Sequence, residues 1–414
     1  MKLRKVFRIV ASVLGLVCLA LAGVFVAAAY QAGRTHDLPF PDIRADASPE
    51  GIARGAAIFH ASCEVCHRPA FATRASGALM AEVPAWLGRF YAANLTSDPQ
   101  AGIGKLDDGA IARMVRFGVN RDGHLGPMPT YGMSDADLAA VIGFLRTDDA
   151  LFAPDPRPAP RSELSLAGKA ALFAAGMLSP AERPSSGIQA PAPAASVAYG
   201  RYLADSVYQC GDCHTAGMDP DKLSGPDAYA GGADMVDAEG HAVYSPNLTK
   251  DPSTGIGRWT RDEFVRALRE GIRPDGTAVG YPMPRFRGAR EEELDALFLY
   301  LRSLPAKVNE VPGRVAKAAS RAKGTARGPA AKFQELGCSG CHGAGARYHE
   351  KLAQAAGKDV AEVARWIRNP EAFLPGTPMP TYANVLDDAG ALELAGWIVS
   401  AQGPAHASAK VSAP

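Results

Sequence analysis

Cys63-Glu-Val-Cys66-His67, Cys210-Gly-Asp-Cys213-His214 and Cys338-Ser-Gly-Cys341-His342 repeat one five-residue pattern along a chain of 414 residues. Two thiols three residues apart lie on one helical turn, where each can add to a vinyl group of a porphyrin, and the adjacent His then sits beneath the iron. The pattern reads as three covalently bound haem c groups, held by Cys63, Cys66, Cys210, Cys213, Cys338 and Cys341. A zinc site built from such pairs requires them to converge two by two, and three pairs leave one over. A disulfide framework suits a small secreted domain, whereas 47% hydrophobic residues suffice to bury cores without staples. A thioredoxin-like redox pair calls for a βαβ context and has no need of a His after the second Cys. The remaining cysteine, Cys18, lies in an apolar stretch and reads as packing against lipid; Val17 before it is too bulky for a lipid-attachment site.

The chain holds 44 basic and 43 acidic residues, which gives no basic face for nucleic acid. Lys2, Arg4, Lys5 and Arg8 precede an uncharged run from Ile9 to Ala29. A basic flank ahead of an apolar core keeps the N-terminus cytoplasmic and sends the rest of the chain across the membrane. The run is long enough to span a bilayer, which favours an uncleaved anchor; Ala27-Ala28-Ala29 leaves a cleaved signal peptide as the alternative. Either outcome places the rest of the chain in the periplasm of a bacterial inner membrane.

An internal duplication follows the first two motifs. Tyr91-Ala-Ala-Asn94-Leu95-Thr96-Ser-Asp98-Pro99 with Gly102-Ile103-Gly104 recurs as Tyr244-Ser-Pro-Asn247-Leu248-Thr249-Lys-Asp251-Pro252 with Gly255-Ile256-Gly257. The match runs through Gly118 to Gly123 and Gly271 to Gly276, and reaches Met128-Pro129 and Met283-Pro284. These glycines follow Asp-Pro turns and read as turn residues, not as nucleotide loops. The third copy is shorter: His342 leads directly to Trp366-Ile-Arg-Asn369-Pro370 and to Met379-Pro380.

Each unit closes with an apolar stripe at helical spacing, namely Leu138, Val141, Ile142 and Leu145, then Leu294, Leu297, Phe298 and Leu301, then Leu394, Trp397 and Ile398. Ser134 with Asp137 forms a candidate capping box for the first. Candidate helices precede each motif over 51–59, 197–203 and 329–336. Helix, haem-binding turn, Met loop and closing helix form the order of a small cytochrome c fold. The expectation is a mainly α chain: an anchor over 1–34, three tandem cytochrome c domains over 45–150, 197–305 and 329–403, and a tail over 404–414. A Pro/Ala-rich linker over 151–196 contains a candidate helix from Leu164 to Leu178, and a basic Ala/Gly-rich linker covers 306–328.

His67, His214 and His342 are the expected proximal iron ligands. The sixth ligand decides the chemistry, since a thioether raises the potential and closes the iron to substrates. Proline biases the residue before it towards extended backbone, which suits a Met reaching from a loop. Met128, Met283 and Met379 are therefore the candidates. Met133 competes with Met128, but Gly288 stands at its place in the second unit. His60, His124, His241 and His349 recur at no equivalent positions and read as surface residues.

On these motifs residues 45–305 resemble the three-haem cytochrome c subunits of membrane-bound alcohol dehydrogenases and of flavin-dependent gluconate and sorbitol dehydrogenases. The resemblance implies a subunit that takes electrons from a periplasmic dehydrogenase, whether quinoprotein, flavoprotein or molybdoprotein, and passes them to a quinone, an oxidase or another cytochrome. The third unit looks more like a compact single-haem cytochrome c, which makes His342 and Met379 the expected exit port. The rivals are a multihaem enzyme and a gas sensor. Each needs an open or unusually ligated iron, and a Met-Pro in every unit argues against both.

Overall fold

The computed structural model describes residues 2–68, 72–80, 83–217, 221–236, 242–280, 282–311, 328–343, 348–374, 377, 379–383 and 385–401. His241, the basic segment 312–327, residues 375, 376 and 378 ahead of Met379, and the tail 404–414 lie outside them.

Helix α1 runs from Lys2 to Gly33, beyond the apolar run that announced it. Its stretch Ile9–Gly33 is 25 residues of apolar helix, exposed over most of its length and long enough at about 1.5 Å per residue to cross a bilayer. Only its far end is covered, where Ala28 is buried and Gln31 Nε2 donates to Leu178 O at 3.2 Å.

The first unit starts with α2 (Pro49–Ile58), set by Pro49 in the first turn and by Ser48, whose Oγ accepts from Gly51 N. The helix passes through one π turn, Phe59–Cys63, into α3 (Glu64–His67), so the first motif continues the helical axis. A short strand β1 (Gly88–Arg89) follows. Helix α4 (Asp108–Phe117) is capped by Asp107 and ends at Gly118, whose left-handed φ of 71° suits glycine. Helix α5 (Asp135–Leu145) closes the unit. It crosses α2 at Gly55, where any Cβ would overlap Ala140 O. That absent methyl is what lets the two backbones touch.

Strand β2 (Glu163–Leu164) pairs antiparallel with β1, and α6 (Leu166–Ala174) then packs along the end of α1. This is the expected linker helix, shorter at both ends. The second unit repeats the first: α7 (Val197–Tyr202), a π turn over Leu203–Val207, α8 (Cys210–His214), α9 (Arg261–Arg269) and α10 (Glu291–Ser303). Gly200 meets Ala296 O as Gly55 meets Ala140 O. An antiparallel ribbon of β3 (Asp234–Val236) and β4 (Ala242–Tyr244) lies in the inserted segment. The third unit has no such ribbon among its described residues, and consists of α11 (Pro329–Glu335), α12 (Ser339–His342), α13 (His349–Leu352), α14 (Val360–Arg368) and α15 (Asp388–Ala401).

The first two units share one core. Ile58, Phe59, Leu138 and Ile142 are continuous with Leu203, Tyr229, Leu294 and Leu297. Phe59, Phe144 and Phe152 meet edge to face at 5.1–5.5 Å within it. A second core joins Phe333, Val363, Ile367, Leu394 and Ile398, and takes in Ile272 from the second unit. Between α5 and α10 the seam is polar: Arg54 pairs with Asp137 at 2.7 Å and also with Glu293, while Tyr202 OH donates to Asp137. The capping box expected at Ser134 is therefore only half made. Ser134 Oγ accepts from Asp137 N, but the Asp137 carboxylate turns to the seam and Ser134 N donates to Tyr202 OH at 2.8 Å.

Candidate haem sites

Three imidazoles are held by one device. His67 Nδ1 donates to Ala93 O at 2.8 Å, His214 Nδ1 to Pro246 O at 2.9 Å and His342 Nδ1 to Tyr348 O at 3.1 Å. A carbonyl that accepts from Nδ1 fixes the tautomer and leaves the Nε2 lone pair for a metal. Burial holds all three below the ordinary histidine range, which keeps them neutral, as ligation requires. Burial also pushes the Cys63, Cys210 and Cys338 thiols up to about 12. A zinc site would need thiolates, whereas a thioether carries no charge to bury. Among the described residues no three His, Cys, Asp or Glu side chains converge to hold a bare ion. The donor set fits haem c: a paired-thiol turn with a neutral imidazole directed by a backbone carbonyl.

The duplicated Asn-Leu-Thr segments now have a physical task. Ala93 and Pro246, whose carbonyls take the His protons, directly precede Asn94 and Asn247. Asn94 Oδ1 accepts from Thr96 N at 2.9 Å and from Thr96 Oγ1 at 2.6 Å, and Asn94 Nδ2 donates to Asp155 O at 2.9 Å. Asn247 Oδ1 likewise accepts from Thr249 N at 2.9 Å, and its Nδ2 donates to Lys307 O at 2.7 Å. Each Asn thus ties the loop under the His to the chain that leaves the closing helix. Gly102 and Gly255 let this loop fold back onto Thr96 O and Thr249 O, where a Cβ would overlap. The third unit dispenses with the segment by taking its carbonyl from Tyr348, a few residues after His342.

Met128, Met283 and Met379 are all half-buried at the edges of the cores. Met133 differs, being 1% exposed inside the shared core, with its carbonyl accepting from Arg116 Nη1 at 3.1 Å. Met133 is thus packed in the core, and Met128 remains the candidate ligand of the first unit. Met128→Leu is expected to make the reduced spectrum respond to carbon monoxide, and Met133→Leu is expected to leave it inert at a stability cost below about 1.5 kcal/mol. A carbon monoxide response from Met133→Leu alone would reverse the assignment.

Sequence reading missed the aromatic three residues past each of these methionines. Met128-Pro-Thr-Tyr131 and Met379-Pro-Thr-Tyr382 are the same tetrapeptide, and Met283-Pro-Arg-Phe286 is its variant. Tyr131 is buried within electrostatic reach of Cys63 and Cys66 and also of Cys213 in the second motif. Tyr382 OH donates to Leu336 O at 3.0 Å and lies 4.0 Å from Cys338 Sγ. Phe286 meets Tyr208, just ahead of Cys210, edge to face at 4.9 Å. The recurring tetrapeptide was the available signal. The surface reading of the extra histidines holds for exposed His124 only among the described ones. His60 is half-buried with Nδ1 2.7 Å from Glu64 Oε2, and His349 Nδ1 donates to His342 O at 3.1 Å.

A helix feeding a Cys-x-x-Cys-His turn, a fixed His, a Met loop and a crossing closing helix define a c-type cytochrome, and residues 52–148 match the cytochrome c family. The chain is 29% identical over 281 residues to the cytochrome c subunit of the quinone alcohol dehydrogenase of Gluconacetobacter polyoxogenes, covering 63% of this chain and 57% of that one. It is 26% identical over 347 residues to the fructose dehydrogenase cytochrome subunit of Gluconobacter japonicus, covering 72% and 65% of the two chains. The gluconate 2-dehydrogenase cytochrome c subunit of Pantoea cypripedii matches at 28% over 309 residues, covering 68% and 66%. Residues 52–148 thus form a cytochrome c domain, and the longer chain is similar to cytochrome c subunits of dehydrogenases. It spans 57% of the length of the alcohol dehydrogenase subunit it matches.

Proposed function

We propose that the protein is an electron carrier with three cytochrome c domains, over 45–150, 197–305 and 329–403, held by α1 at the periplasmic face of a bacterial inner membrane. The observation that carries this reading is the threefold recurrence of one His-to-carbonyl device beside a half-buried Met. Haem c would supply reversible one-electron iron chemistry, and the chain's part is to hold each iron between His and Met and to bury it. His67 with Met128, His214 with Met283 and His342 with Met379 are the three pairs. The donor is a periplasmic quinoprotein, flavoprotein or molybdoprotein dehydrogenase, by likeness to the relatives.

Among the acceptors considered, a specific observation favours a quinone over an oxidase or another cytochrome. A cavity of about 450 Å³ opens where α1 leaves the apolar stretch, lined by Gln31, Arg34, His36, Phe117, Ser179 and Arg183 among others. That volume suits a small organic molecule. His36 Nε2 and Arg183 Nη1 are buried there without a hydrogen-bond partner among the described residues. Burial, and then Arg34, hold His36 below the usual histidine range, so it is a neutral imidazole at pH 7. Two polar groups and the Phe117 ring suit the two oxygens and the flat face of a quinone. Arg183 Nη2 donates to Thr130 Oγ1 at 3.2 Å, and Thr130 O accepts from Gln209 beside Cys210. The cavity thus adjoins both the Met128 loop and the second motif. On this reading electrons leave near the first domain and enter at the third, the reverse of the exit expected from His342 and Met379.

The test is a haem count and a quinone assay on the protein in membranes with its donor. Three haems per chain and a reduced spectrum indifferent to carbon monoxide are expected. His36→Leu and Arg183→Leu are each expected to lower quinone reduction by about tenfold or more while the donor still reduces the haems. Fewer than three haems, or a large carbon monoxide shift, would overturn the carrier in favour of an enzyme or sensor. Unchanged quinone reduction in both variants would remove the quinone site.

A further inference from the structure

Arg285 is a buried cation with no carboxylate paired to it among the described residues. The residue is 7% exposed, Nη1 donates to Met283 O at 3.1 Å and Nη2 to Val279 O at 2.7 Å, and Nε has no partner. No carboxylate among the described residues forms an ion pair with it. A guanidinium stays charged at neutral pH. The fold makes room for this guanidinium: Gly271 lies against it with a left-handed φ of 73°, and any Cβ there would overlap Nε and Cζ. A buried charge satisfied only by carbonyls destabilises the fold unless an opposite charge joins it. The neighbouring charged side chains do not help, because Arg273 and Arg287 carry the same sign.

The place of Arg285 shows which sites its charge borders. It lies two residues beyond Met283 and within electrostatic reach of Cys341 and Tyr382 of the third unit. The two units meet around it. Ala278 N donates to Leu336 O at 3.2 Å and Thr381 N to Glu270 O at 3.0 Å. Arg287 Nη1 donates to Thr377 O at 2.8 Å, and Arg287 is itself paired with Glu371 at 2.8 Å. The second Met loop thus borders the third motif and the third Met loop at once. Thr130 and Thr381 occupy the position of Arg285 in the other two Met loops, so the cation is peculiar to this junction.

We propose that Arg285 is the counter-cation for haem propionate at the junction of the second and third haem sites, and that it raises the midpoint potentials of those two haems together. A positive charge in a dry site disfavours the ferric state, whose charge is one unit higher than that of the ferrous state. One guanidinium bordering two sites acts on both, which keeps their potentials close. The inference rests on reading both motifs as haem sites.

Spectroelectrochemical titration of the membrane-bound protein tests it, with haem content measured first. A content below three haems in the native protein would defeat the three-haem reading itself and is thereby told apart from a failure here. In Arg285→Gln, two of three reduction waves are expected to move to lower potential and the third to stay. No movement, movement of one wave alone, or equal movement of all three would overturn the proposal. Arg285→Lys keeps the charge at the same junction and carries the test if Arg285→Gln does not load its haems. Its three waves are expected to stay near native values. A fall of the same two waves in Arg285→Lys would show that shape and not charge is at work, and would overturn the proposal too.

Discussion

Replacing Cys210 and Cys213 together by Ala is expected to remove roughly a third of the haem absorbance and to cut electron flow from donor to quinone by more than about tenfold. The reason lies in where the second Met loop sits. Gly288 faces Ala57 of the first unit, where a Cβ would come within 3.0 Å of Ala57 Cα. Phe286 lies in the core shared with the first unit, and Arg287 reaches the carbonyl of Met379 in the third at 3.3 Å. Residues 283–288 are therefore a hub touching both neighbours. The proposed quinone cavity adjoins the first unit, so a donor at the third reaches it through this hub. The measurement is turnover with dehydrogenase and quinone, beside a haem-stained gel that confirms two remaining haems. Native turnover with two haems loaded would mean that the first and third sites exchange electrons directly, with the second off the path.

Much of this was legible because it is local. Thiols on one helical turn, a His beside them, a Met-Pro pair on a loop, and apolar stripes at helical spacing are all read within a short window. So were the left-handed turns at Gly118, Gly123, Gly271 and Gly276, each with φ between 71° and 87°. What escaped depends on pairs distant along the chain. Tyr199, Tyr202 and Tyr208 look like unremarkable positions around a short helix, and nothing in their spacing says that they line a seam between two units. Asp137 carried a plausible local role as a capping residue, and its tertiary partners took the carboxylate away from it. The carbonyls of Ala93 and Pro246 are backbone atoms, which no side-chain pattern announces. The cavity is assembled from residues on both sides of the first unit, so only folding brings His36 and Arg183 together.

Arg54→Met is expected to lower stability by about 3–5 kcal/mol, because it strips the cation that bridges two buried carboxylates. Asp137 is 8% exposed and Glu293 is fully buried, and both sit in the first turn of a closing helix at corresponding positions. With Arg54 gone, Glu293 Oε1 keeps Tyr199 OH at 3.1 Å and Asp137 keeps Tyr202 OH. Arg290, half-exposed and 3.5 Å from Glu293, is too far and too wet to stand in fully. Arg290 N also donates to Glu293 Oε2 at 2.9 Å, but three neutral donors cannot offset two desolvated charges. The same reasoning gives the rescue. Asp137→Asn and Glu293→Gln added to Arg54→Met leave no charge to compensate, and the triple variant is expected to regain most of the loss. The first two units share one core, so the measurement is their common unfolding transition in denaturant, with thermal midpoints falling by about 10 °C in the single variant. A loss below about 1 kcal/mol in Arg54→Met would place the seam in water, as for an ordinary surface pair. A triple variant no better than the single would mean that the tyrosines, and not the charges, hold the two units together.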